Sequence, residues 1–110
     1  MRAALLLLPL LAGACGDHGC PERGRESLAQ CTESCERGEA RACAWVGMHL
    51  ETSAGGGEES ARRFAAACES ADADQRWLCA LASREPPAGE VLGQLRAACG
   101  DGDAIACWAI

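Results

Sequence analysis

Apolar positions in this chain recur with helical spacing. Trp45, Val46, His49 and Leu50 form one face, and Trp77, Leu78, Leu81 and Ala82 form another. In both, side chains return at the i, i+3 and i+4 intervals that share one side of an α-helix. Strong helix breakers follow each segment. The first is followed by residues 52–58, centred on Gly55-Gly56-Gly57, and the second by Pro86-Pro87-Ala88-Gly89, so the chain is expected to reverse at both places. A second apolar series then begins, with Ala61, Phe64, Ala65 and Cys68 after the first loop and Leu92, Leu95 and Cys99 after the second. The steps from Phe64 to Cys68 and from Leu95 to Cys99 put a cysteine on the buried face at each helix end. The pattern predicts an all-α fold of helical hairpins.

Nine cysteines punctuate that pattern. Cys35 and Cys43 enclose seven residues, as do Cys99 and Cys107, whereas Cys20 and Cys31 enclose ten, as do Cys68 and Cys79. The leading cysteines Cys35, Cys68 and Cys99 stand 33 and 31 residues apart, the period of a helical-hairpin repeat. The pairs therefore mark junctions where one helix turns into the next. Antiparallel helix ends on a short loop bring Cα atoms within the roughly 4.4–6.8 Å that a disulfide needs. Each closed loop contributes roughly 2–3 kcal/mol by the chain-entropy argument. Disulfides are expected at Cys20–Cys31, Cys35–Cys43, Cys68–Cys79 and Cys99–Cys107. With 110 residues, one Phe, three Trp and no Tyr, the chain builds only a small core, and cross-links are the expected supplement in an oxidising compartment.

The N-terminus has the layout of a secretory signal. Arg2 precedes an apolar run over residues 3–12, followed by Ala12-Gly13-Ala14-Cys15. The run is shorter than the ~20 residues of a spanning helix, and residues 1–14 are read as a signal peptide. Two kinds of processing end at the same bond. Ala12-Gly13-Ala14 suits ordinary signal peptidase, whereas Leu11-Ala12-Gly13-Ala14-Cys15 resembles a bacterial lipoprotein box. In the second case Cys15 carries the lipid, eight cysteines remain as an even set, and an acylated N-terminus holds the protein at a membrane. In the first, the product is soluble in the periplasm or secreted, and Cys15 is free or pairs with a neighbour such as Cys20, leaving another cysteine reduced. Residues 15–34 are read as a tether merging into a degraded first repeat. Residues 35–110 are read as the repeat domain, about two hairpins and the start of a third.

Charge and candidate chemistry narrow the function. The net charge is −6, and all ten basic residues are arginines that form no cluster, so nucleic acid is excluded as a partner. Cys31-x3-Cys35 with His18 or His49 sketches a zinc site, but paired Cys-x2-Cys knuckles are missing and the regular pairing uses every thiol. No metal or cofactor is expected. Nucleophilic hydrolysis lacks its parts, since Ser-x-x-Lys is impossible without lysine and no Gly-x-Ser-x-Gly occurs; no catalytic residue is assigned. The carboxylates Glu58-Glu59, Glu36 with Glu39, and Asp101 with Asp103 fall at turns and helix starts, where they cap amides and complement the helix dipole. Trp45 and Trp77 hold similar positions in successive units, and His49 follows Trp45 by one helical turn. They are the candidate surface for a protein or peptide partner, with core anchoring as the competing reading.

Together these residues resemble the Sel1-like repeats, and within them the cysteine-rich subgroup first described in Helicobacter. The motif of that family appears as Cys35-Glu-Arg-Gly38-Glu-Ala40-Arg-Ala42-Cys43 and Ala98-Cys99-Gly-Asp-Gly102-Asp-Ala104-Ile-Ala106-Cys107. Val46-Gly47 matches its Leu-Gly, and the stretch from Ala61 to Cys68 matches its second helix. The resemblance covers Cys35 to Ile110. It implies a short α/α solenoid of disulfide-stapled hairpins and an interaction role, as scaffold or adaptor at the cell envelope. It also implies an alternative, the binding or slow hydrolysis of β-lactams reported for some members.

Overall fold

Glycine, proline and acidic residues set the ends of the helices. The computed structural model describes residues 19–110 other than Arg84; the expected leader, Cys15 and His18 lie outside the described residues. A short 3₁₀ turn, Gly24–Ser27, leads into α1 (Leu28–Glu36), followed by α2 (Ala40–Ala54) and α3 (Glu58–Ser70). A ten-residue 3₁₀ helix, Ala73–Ala82, comes next, then α4 (Gly89–Gly100) and α5 (Ala104–Ala109). The described residues are all-helical and contain no strand. No helix among them is long and apolar enough to cross a membrane.

The junctions at Cys35 and Cys99 are built alike. Gly38 and Gly102 both sit at φ +95°, a left-handed conformation that a side chain resists. The amide of Gly38 donates to the Cys35 carbonyl at 2.9 Å, and that of Gly102 to Cys99 at 2.9 Å. One residue on, Glu39 N–H reaches Ser34 O at 3.1 Å and Asp103 N–H reaches Ala98 O at 3.0 Å. These bonds satisfy the carbonyls that each helix end leaves open and aim the next helix back along the first. Four disulfides then close in the expected pairing, Cys20–Cys31, Cys35–Cys43, Cys68–Cys79 and Cys99–Cys107. Their Cα separations run from 4.3 to 4.6 Å.

One element departs from the expected pattern. The segment carrying Trp77, Leu78 and Leu81, expected as an α-helix, is a 3₁₀ helix. Asp72 and Gln75 open it with a capping box, each side chain bonding the other's backbone amide. The tighter winding follows from reach. Ten residues at about 2.0 Å rise span about 20 Å, as far as the thirteen residues of α3 span at about 1.5 Å each. The short segment therefore runs back along the whole of α3, against which it packs.

Helix α2 is the central element. It packs against α1, α3, the 3₁₀ helix and α5, so residues 42–47 are buried on every side. Val46, Leu78, Leu95 and Ile105 are the largest wholly enclosed aliphatic side chains. On α3 the buried face runs through Ser60, Phe64 and Ala67. Ala61 and Ala65, which the apolar spacing places inward, are exposed.

An ion pair ties the two ends of this arrangement together. Arg41, in the first turn of α2, bonds Glu22 through both carboxylate oxygens, at 2.7 and 2.8 Å, and also bonds Asp103. Asp103 in turn caps α5 by accepting from the amides of Ile105 and Ala106. Partial burial opposes the guanidinium charge, but the hydrogen bonds it donates to Glu22 and Asp103 outweigh it and raise the Arg41 pKa above its ordinary value. The charge therefore persists at every physiological pH. Replacing Arg41→Gln leaves two carboxylates facing each other and is expected to lower stability by about 1 kcal/mol. Urea unfolding checks this, and the loss should shrink in ~1 M salt, where the Debye length falls to about 3 Å. An unchanged midpoint at low salt would make the triad a surface ornament.

Candidate functional site

The groove with the richest chemistry lies between the α2–α3 hairpin and the end of the 3₁₀ helix. It has a volume of 640 Å³ and is lined by Glu51, Gly57, Glu58, Ala61, Phe64 and the stretch Leu81, Ala82, Ser83. Each element contributes for a local reason. Glu51 stands on the last turn of α2, before the glycine loop breaks the helix. Glu58 opens α3, where a carboxylate complements the helix dipole. Ala61 and Phe64 follow on the next turn, and Leu81 closes the far wall from the 3₁₀ helix.

The carboxylate of Glu51 is held in place. The Ser60 hydroxyl, fully buried, donates to Glu51 Oε1 at 3.1 Å and lies at the same distance from the Gly57 carbonyl oxygen. The carboxylate also lies over Gly56, where a Cβ would stand 2.6 Å from Oε1. The rim is thus anionic, with Glu51 fixed in position, while Phe64 and Leu81 give an apolar floor and wall. Among the described residues the lining carries two carboxylates and no basic side chain. A volume of this size falls within the roughly 300–1,000 Å³ typical of ligand pockets.

The residues singled out in the sequence lie elsewhere. Trp45 is 4% and Trp77 7% exposed, both within the core, so they anchor packing and present no aromatic surface to a partner. The reason is the central position of α2, whose neighbours cover the Trp45 side completely. His49 is half-buried and stacks on Trp45 with ring centroids 5.2 Å apart. The aromatic that does reach solvent is Trp108, 41% exposed, stacked on Phe64 at 6.1 Å. Periodicity gives no signal for it, because the segment that carries it is only six residues long.

The zinc sketch is closed by the disulfides, since Cys31 and Cys35 are each bonded to another cysteine. Among the described residues no group of three or more His, Cys, Asp or Glu is placed to hold a metal ion. The acidic residues divide by role. Asp103 caps α5 as its position suggested. Glu39 occupies the corresponding position before α2 without a side-chain capping bond. Glu59 pairs with Arg62 and Arg63, and the hydrogen bonds from Arg62 and then Arg63 lower its pKa below the usual carboxylate value.

A second cavity, 460 Å³, surrounds Arg41 and is lined by Glu22, Glu39 and Asp72 among others. Its one cation is already spent on Glu22 and Asp103, which leaves it a structural joint. The acid-rimmed groove remains the stronger candidate. Neither a protein-family model nor a curated protein nor a solved structure matches this chain.

Proposed function

We propose that this chain is an exported, lipid-anchored repeat protein of the Sel1-like kind, acting as an interaction scaffold at the cell envelope. Its proposed fold is a short α/α solenoid of disulfide-stapled hairpins. The observation that carries the interaction role is the open groove between α2, α3 and the 3₁₀ helix, bounded by Glu51, Glu58, Phe64 and Leu81. Stacked helical hairpins use such inter-repeat surfaces for binding. Support for the repeat comes from the two junctions at Gly38 and Gly102, which share φ and the same hydrogen bonds 64 residues apart. Four disulfides are consistent with an oxidising, exported setting.

The β-lactam reading gains little from the groove. Ser60, beside it, is wholly buried and donates its one proton to Glu51, with the Gly57 carbonyl at the same distance, an arrangement without the exposed, base-activated hydroxyl that acylation requires.

Site-specific photo-crosslinking in the producing cell tests the role. A photoreactive residue at Ala82, in the groove, is expected to give a discrete adduct that the same residue at Ala29, exposed on α1, does not. Identical adduct patterns from both positions, or none from either, would sink the scaffold proposal. Intact mass of the membrane-fraction protein, unreduced and alkylated, tests the anchor separately. A lipidated product starting at Cys15 and free of alkyl groups is expected, and an unlipidated one moves the protein to the soluble periplasm.

A further inference from the structure

We infer that the groove recognises a peptide segment in which a lysine or arginine adjoins a large apolar residue. This rests on the interaction role proposed above and adds the chemistry of the partner. The floor and wall, Phe64, Ala61 and Leu81, offer only carbon to a ligand, whereas the rim offers Glu51 and Glu58. A neutral apolar ligand would leave both carboxylates unanswered, and an anionic one would face two like charges. A cationic head with an aliphatic neighbour satisfies both parts at once, forming charge-assisted bonds at the rim and burying carbon beneath.

The geometry of Glu51 makes this more than a property of an acidic protein. Ser60 donates to Oε1 from a fully buried position, which fixes the carboxylate and leaves Oε2 with no donor among the described residues. A positioned acceptor beside an apolar pocket is the arrangement that anchors one basic side chain and orders its neighbour. The length of that neighbour is limited by the groove volume of 640 Å³.

The test uses the full disulfide-bonded chain and two fluorescein-labelled heptapeptides, one alternating leucine with arginine and one with serine in place of arginine. Anisotropy is read at ~0.15 M salt, where the Debye length is about 8 Å and diffuse attraction is largely screened. Saturable binding of the arginine peptide is expected. It should weaken at least tenfold in Glu51→Gln/Glu58→Gln, which keeps an acceptor for Ser60, and stay unchanged in Glu26→Gln/Glu33→Gln, which removes equal charge from the α1 side. Equal weakening in both variants overturns the inference in favour of net charge. Equal affinity for the serine peptide, or failure of both peptides to bind, overturns it while leaving the interaction role to the crosslinking test. A dimer in sedimentation that Glu51→Gln/Glu58→Gln dissolves overturns it in favour of a second copy of the chain.

Discussion

Replacing Cys35 and Cys43 together by alanine is expected to lower the unfolding free energy by roughly 3–4 kcal/mol, more than the same change at Cys99 and Cys107. Closing a loop of eight residues accounts for about 2.5 kcal/mol in either case, because the chain-entropy effect depends only on loop length, which is equal at the two sites. Burial separates them. Cys35 is 6% and Cys43 0% exposed, whereas Cys107 lies at the surface. Removing two sulfurs from the junction of α1, α2 and α3 adds the cost of a cavity, and it also strips away the surface over which Arg63 lies, 3.5 Å from Cys35 Sγ. Denaturant unfolding of both variants without reductant measures the difference. Equal losses at the two sites would mean that the buried bridge acts on the unfolded chain alone. A loss below ~1 kcal/mol at Cys35 and Cys43 would remove the bridges from the main supports of the fold.

The bridges behind that expectation are legible in the amino-acid sequence. Disulfide pairing is readable because each bridge is local, spanning 8 or 11 residues across one turn, and turn geometry is written in glycines such as Gly38 and Gly102. Reversal at Gly55-Gly56-Gly57 is readable for the same reason. What escapes is set by distance or by short length. A 3₁₀ helix of ten residues makes little more than three turns, and over that length a period of 3.0 is hard to separate from 3.6. The burial of Trp45 and Trp77 depends on how many elements surround α2, which no single periodic face reports. Arg41 meets Asp103 across 62 positions, and neither residue looks unusual in its own segment. Glu58 reads as an ordinary helix-start carboxylate and Glu51 carries no signal of its own, and only the fold sets both on the rim of one groove.

Gly47 shows the same limit at a single atom. The motif marks this glycine but does not say why, and helix propensity alone argues that Gly47→Ala should stabilise α2 by about 1 kcal/mol. The structure reverses the sign. A Cβ at this position would stand 2.6 Å from Phe64 Cε1 and 2.8 Å from Cδ1, closer than real contacts allow. Phe64 is only 5% exposed and its ring is stacked on Trp108, so it has little room to retreat. Overpacking of this kind costs about 1–3 kcal/mol and outweighs the propensity gain. Gly47→Ala is therefore expected to destabilise by about 1 kcal/mol. Gly47→Val, with two further methyl groups and a β-branched helix penalty, is expected to lose about 3 kcal/mol. Since the strain passes through one ring, adding Phe64→Leu to Gly47→Val should recover at least ~1 kcal/mol relative to the sum of the single changes, a coupling expected only of residues in contact. Urea unfolding of the four proteins closes the cycle, and acrylamide quenching of tryptophan emission, which reads the exposed Trp108 ahead of the buried Trp45 and Trp77, reports whether the ring has moved. Additive losses with unchanged quenching would show that α2 and α3 accommodate the side chain elsewhere. A Gly47→Ala protein more stable than the parent would show that propensity, not packing, governs this position.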